Sequence, residues 1–205
     1  MSSAETLGRG QATRGMRSFI AAGGIWGGWQ QFVGIGSTVF TGYALFLGAD
    51  ESFIALMVAL TYLLAPVQLA SSLVGARISN KKRFVIGAGM GEMLFRGSLI
   101  LIPFIFAPRS YLGAMIGLVA ASLVFAYLLS PTYTTWIVNT IPEDYRAKFT
   151  SQQTIVRTVV ATLMGFAVGQ FVDYFPESGR QEAFVYVFIV GTVIGICGFL
   201  PVSRA

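Results

Sequence analysis

Glu92 and Arg96 are the only oppositely charged residues that stand four apart within one long apolar stretch of this sequence, and the acid comes first. That spacing and order put both on one helix face in the favourable orientation for an ion pair. An arginine at the centre of a membrane helix costs about 2.5–3.5 kcal/mol on insertion scales, and an adjacent carboxylate lowers that cost by neutralising it. Two roles are open to the pair. It could be a self-satisfied bridge holding its helix to a neighbour, or Glu92 could be a titrating, ion-coupling carboxylate.

Neutral polar residues recur at helical spacing in other apolar stretches. Trp26, Gln30, Gly34, Ser37 and Thr41 fall on one face; Thr61, Gln68 and Ser72 mark another; Thr154, Thr158, Thr162, Gly165 and Gly169 mark a third. Serine and threonine in such helices usually bond a preceding carbonyl of their own turn. An amide such as Gln30 or Gln31 has no cheap local partner in hydrocarbon and is better placed on a polar cavity. Trp26, Gln30, Gln31 and Ser37 are therefore the first candidates for lining a substrate pathway, with Thr158 and Thr162 behind them. The chain has no histidine and one cysteine, Cys197, which removes the usual zinc ligand sets and any Ser/His or Cys/His nucleophile pair. Gly87, Gly89 and Gly91 imitate a nucleotide loop, but Glu92 follows them and no strand precedes them. With no P-loop, ATP is not the direct energy source. No catalytic residue, metal or cofactor is expected, and no enzyme.

The elements that must position these residues are six apolar stretches, at 19–47, 53–75, 84–107, 111–130, 154–175 and 184–202. Each approaches the roughly 20 residues a helix needs to cross hydrocarbon. Lipid offers the backbone no hydrogen-bond partners, so each is expected to be a helix. The reading is an all-α polytopic membrane protein: a tail at 1–17, a six-helix domain at 18–202 and an end at 203–205. Arg9, Arg14, Arg17, Arg77, Lys81, Lys82, Arg83, Arg146, Lys148, Arg157 and Arg204 fall in alternate segments, against Arg109 and Arg180 on the other side. Basic residues stay inside, so both termini are expected in the cytoplasm and the protein in the cell membrane. The net charge of +5 is then a topology signal rather than a nucleic-acid footprint.

Four further expectations concern packing. The first apolar run lacks a cleavage pattern and should stay in the mature protein. Glycine pairs at Gly23/Gly27, Gly24/Gly28, Gly87/Gly91, Gly113/Gly117, Gly165/Gly169 and Gly191/Gly195 should let helices approach closely. A connection at 131–153 should hold a capping box, Thr140-Ile141-Pro142-Glu143, at which a helix begins and runs into the fifth stretch, with Trp136 as an interface anchor. The sixth stretch, apolar but for Thr192 and Cys197, should be peripheral.

In arrangement the chain resembles the N-terminal half of a major facilitator superfamily (MFS) transporter. A short basic loop follows the second stretch, where Gly75 and Arg83 match the family's loop pattern and Ser79, Asn80 and Lys82 stand in place of its Asp, Arg and Gly. A later loop carries Pro142-Glu143-Asp144-Tyr145-Arg146. The proline pattern of the family's antiporters is missing around Gly165 to Gly169. The resemblance implies secondary active transport of a small solute by alternating access, with the first, second, fourth and fifth spans lining the pathway. It also implies a second six-helix half, supplied by further chain or by another copy in a homodimer. The partners are then the lipid bilayer, a small-molecule substrate and that second half. The alternative is a non-transporting membrane scaffold or assembly factor built on the same unit.

This map predicts that cysteines replacing Lys81 and Arg146 face the cytoplasm and one replacing Arg180 faces out. In a Cys197→Ser background, an impermeant thiol reagent should label the first two from one side and the third from the other. Labelling of all three from one side would overturn the map.

Overall fold

Glycine and proline decide where the helices of this chain stop. The computed structural model describes the backbone of residues 3–75, 78 and 80–203, and among these it is helical with no strand. The helices are α1 (Ser3–Val33), α2 (Thr38–Phe46), α3 (Glu51–Leu63), α4 (Val67–Gly75) and α5 (Lys81–Gly97), followed by α6 (Ile102–Ile105), α7 (Tyr111–Thr140), α8 (Glu143–Tyr174), α9 (Arg180–Cys197) and α10 (Phe199–Val202). Arg77, Ser79 and Arg204 lie outside the described residues, as do the side chains of Arg9, Arg14 and Ser72 and the surroundings of Gly75.

Five helical stretches are long and apolar enough to cross a membrane: Glu51–Ser71, Lys81–Ile105, Pro108–Thr140, Glu143–Tyr174 and Glu177–Val202. Among the described residues the chain is thus all-helical, with the helix lengths and hydropathy that suit a membrane protein. The expected span at 19–47 is not one helix. α1 ends at Val33, Gly36 turns the chain in the left-handed region at φ 82°, and Ser37 starts α2 by accepting the Phe40 N–H at 3.1 Å. α2 ends on Gly48, also left-handed at φ 88°; the Ala49 N–H reaches the Ala44 carbonyl and that of Gly48 reaches Leu45. The next stretch bends at Pro66, which has no N–H to continue the ladder from α3 into α4.

Asp50 and Asn80 cap α3 and α5. The Ser52 hydroxyl and then the Phe53 N–H hold the Asp50 carboxyl below its usual range. This cap contributes above the ordinary carboxylate pKa and is lost as pH falls through the lowered one.

The helix expected to start at the Thr140–Glu143 corner and run into the fifth stretch is present as α8, and the earlier part of the connection expected at 131–153 is helix as well. α7 runs through Pro131 to Thr140 and α8 begins at Glu143, leaving only Ile141 and Pro142 between them. Proline is tolerated inside α7 as in other membrane helices; around it, the Thr134 and Thr135 hydroxyls donate to the Ser130 and Pro131 carbonyls at 3.0 and 2.8 Å. The capping box does not form. Thr140 is still inside α7 and donates to the Trp136 carbonyl, while the N-cap of α8 is Pro142 with no side-chain cap. Arg146 closes this corner from the other side, donating from Nε to the Ile141 carbonyl and from Nη2 to that of Val138. Trp136 packs edge-on against Phe19, in a cluster with Phe149 and Tyr133.

α1 packs on α8 and α9, α5 on α7 and α9, and α4 on α7. Gly23, Gly24, Gly27 and Gly28 meet Gln153, Val156, Arg157 and Val160 in turn, so α1 and α8 run parallel with their backbones nearly touching. Gly191 and Gly195 of α9 receive Phe32 and Trp29, in the opposite direction. By contrast Gly87, Gly113, Gly117 and Gly169 face open space. The α3–α4 and α7 segments are tied by polar bonds, Tyr127 Oη to the Thr61 carbonyl and Ser71 Oγ to that of Leu128.

The sixth stretch is not peripheral, as Phe184, Val187, Phe188, Gly191 and Gly195 of α9 are buried. An all-round apolar helix suits a protein core as well as lipid, so its composition could not decide. The exposed helix is α8, with 6% of its apolar window buried against 50% for Lys81–Ile105.

A β-carbon on Gly27 would stand 2.6 Å from the Arg157 carbonyl oxygen, which is backbone and cannot step aside. Gly27→Ala should therefore cost about 1–3 kcal/mol of stability. Gly113→Ala, with nothing near it, should leave stability unchanged or slightly raised. Thermal unfolding in detergent of both variants checks the contrast.

Candidate functional site

The charged pair is built as its spacing requires. Arg96 Nη2 lies 3.6 Å from Glu92 Oε1, both side chains buried on α5. Arg96 also donates from Nε to Ser122 Oγ of α7 at 2.8 Å, and its guanidinium stands 5.4 Å from the centre of the Trp29 ring of α1. One arginine thus joins three helices, with an ion pair, a hydrogen bond and a cation–π contact.

Beside this pair lies a small, partly open cavity of about 190 Å³. Trp26, Trp29 and Gln30 line it from α1, Glu92 from α5, Tyr133 from α7, and Gln153 and Arg157 from α8. The Gln153 amide donates to the Phe19 carbonyl at 3.1 Å. Tyr133 Oη and the indole nitrogens of Trp26 and Trp29 are buried with no hydrogen-bond partner among the described residues. The indole edges rest against Gly198 and Gly195, where any β-carbon would collide with them.

A larger hollow, an open groove of about 600 Å³, runs along the exposed face of α8. Its walls are Gln31, Thr154, Arg157, Thr158, Ala161, Thr162, Gly165 and Phe166. Gln31 lies across Gly165, whose missing side chain leaves room for the amide. A third hollow, of about 410 Å³, opens near Asp173 and Arg180 between α2, α8 and α9, and its walls are mainly apolar.

Of the expected pathway residues, the structure brings Gln31, Thr158 and Thr162 together on the groove, and Trp26 and Gln30 together in the cavity. Ser37 lines neither, since its hydroxyl is spent on capping α2. Of the loop residues, Arg83 is exposed on the first turn of α5, and Arg146 is a corner staple. Thr61 donates to the Val58 carbonyl of its own helix, and the Gln68 amide donates to Ser130 Oγ of α7.

Arg157 is the residue that the sequence reading misplaced. Counted among the basic residues of a cytoplasmic segment although it stands at the start of the expected fifth stretch, it lies near the middle of α8, with about 26 Å of helix beyond it. It lines the cavity and the groove alike. The signal was present, because Arg157 falls on the same stripe as Thr154, Thr158 and Thr162. Tyr133 and Gln153 were also missed; they fall within the connection expected at 131–153.

Among the described residues no three His, Cys, Asp or Glu side chains converge on a point that could hold a metal ion. No protein-family model, no curated protein and no solved structure matches the chain. Its function is therefore argued from this geometry alone.

Glu92→Gln should destabilise the protein by roughly 3 kcal/mol, because it leaves the buried Arg96 without its counter-charge. Glu92→Gln combined with Arg96→Gln should recover much of that loss. Melting of the parent and the two variants separates a bridge from an ion-coupling carboxylate, for which the single variant would melt like the parent.

Proposed function

We propose that this chain is a six-helix unit of a secondary active transporter, built like the N-terminal half of an MFS protein, that moves a small solute by alternating access. The observation that carries the reading is the groove on α8. A helix apolar enough to cross a membrane presents Thr154, Arg157, Thr158 and Thr162 on an exposed face. Such a face is costly against lipid and stable against water or a second protein wall. In this reading the groove is one wall of the pathway, and a second six-helix half, from further chain or another copy, is the other.

The helix pairings support the same reading. Let the six segments be α1–α2, α3–α4, α5–α6, α7, α8 and α9–α10. The main pairings are first with fifth and sixth, third with fourth and sixth, and second with fourth. Exchanging the first three segments for the last three returns the same set. That is the relation expected of two three-helix repeats of inverted topology, a common construction of transporters. The break between α1 and α2 then interrupts the first of six crossings in the cell membrane, with both termini in the cytoplasm.

In a Cys197→Ser background, single cysteines at Thr158 and Thr162 should react with a water-soluble maleimide in membrane vesicles at least tenfold faster than one at Leu163, which is exposed on another face. Equal protection of all three would mean that lipid or a permanent partner covers the groove. The pathway reading would then give way to the scaffold reading.

A further inference from the structure

Two charged side chains line the cavity, Glu92 from α5 and Arg157 from α8, and Arg96 stands beside the first of them. Glu92 and Arg96 neutralise each other at 3.6 Å, which leaves one uncompensated positive charge on the cavity wall. That charge is Arg157, which makes no ion pair and no hydrogen bond among the described residues. The acidic residues other than Glu92 and Glu5 are at or beyond helix ends, at Asp50, Glu51, Glu143, Asp144, Asp173, Glu177 and Glu182. The arginine stem crosses α1 at Gly27, where a β-carbon would lie 2.8 Å from its Cγ, and this contact holds it against α1 where cavity and groove meet.

We propose that Arg157 is the anchor of an anion-binding site, and that the solute is a small monoanion, best a monocarboxylate with a short apolar body. This rests on the transporter reading of the groove and gives that reading a substrate class. A guanidinium fork matches a carboxylate with two parallel hydrogen bonds. The buried Tyr133 hydroxyl, beside Gln153 on the same cavity, is a further donor. Trp26 and Trp29 supply apolar walls, and about 190 Å³ is room for about six waters or a solute of similarly few heavy atoms. A cation would meet Arg157 head-on, and a neutral solute would leave its charge uncompensated in the hydrocarbon layer.

The chain's three tryptophans provide the test. In a Trp136→Phe background the only indoles are those of the cavity, Trp26 and Trp29. Their fluorescence is titrated in detergent at constant ionic strength with iodide, with caesium as the cationic quencher, and with propionate as competitor. Iodide should quench saturably, propionate should relieve the quenching, and caesium should have little effect. Arg157→Gln should weaken the apparent iodide affinity at least tenfold, and Arg157→Lys by less than about threefold. If Arg157→Gln does not fold, propionate relief in the parent and retention in Arg157→Lys decide the matter. Quenching that is linear in iodide and equal in Arg157→Gln would overturn the proposal. So would a parent protein that iodide does not quench, as expected if a carboxylate of another chain already holds Arg157. Because the assay needs neither a gradient nor a second half, intact anion binding without uptake would count against transport and not against the site.

Discussion

The contact between the glycine face of α1 and the backbone of α8 governs the geometry of everything else in the molecule. In lipid there is little hydrophobic force to press helices together, so association depends on close packing of atoms over a long seam. Gly23, Gly24, Gly27 and Gly28 remove the side chains that would hold the two backbones apart. Two consequences follow from that closeness. α8 lies on α1 with one face only, leaving its threonine stripe outward, and the side chain of Arg157 is forced across α1 rather than along its own helix. Groove and cavity are the two sides of this seam.

The interior polar groups follow a second rule, that buried charge is kept only where it is paired and anchored. Arg96 meets it with a carboxylate, a serine hydroxyl and an indole face from three helices. Replacing such a pair by apolar residues need not destabilise a protein, whereas removing one partner does. Its value here is geometric: it fixes the rotation of α5 against α1 and α7, and so the position of Glu92 on the cavity wall. Arg157 has no such anchoring, and the difference between the two arginines is what makes the second one a candidate for binding rather than for structure.

The helix breaks show the same economy. Gly36 and Gly48 bracket α2 with left-handed turns, and α2 lays Tyr43 against Phe184 and Phe188 of α9. Its hydroxyl donates to the Leu99 carbonyl at 2.8 Å, next to the irregular turn after α5. At the other end of the molecule, Arg146 serves the carbonyls at the end of α7 that no residue of α7 can reach. Both corners satisfy backbone groups locally, which lets α7 and α8 follow each other after only two residues.

By itself the sequence determined composition and period: long apolar runs that must be helices, the Glu92–Arg96 pair one turn apart, the glycine faces and the threonine stripe of α8. These are local properties, set by hydropathy and by 3.6 residues per turn. It could not determine which faces meet. Gly23 and Gly113 are both glycines in apolar runs, yet one is packed against Gln153 and the other stands open. Ser37 had the spacing of a pathway residue and became a cap, because a left-handed turn at Gly36 precedes it. Proline at 131 read as the end of a span, although helical hydrogen bonding resumed beyond it and carried Tyr133 into the cavity. Arg157 counted toward topology because it stood at the start of the stretch 154–175; α8 begins at Glu143, which puts it near mid-helix. Only the tertiary structure decided these points, because each depends on how far a helix extends and which neighbour it meets, and both are set by contacts between residues distant in the chain.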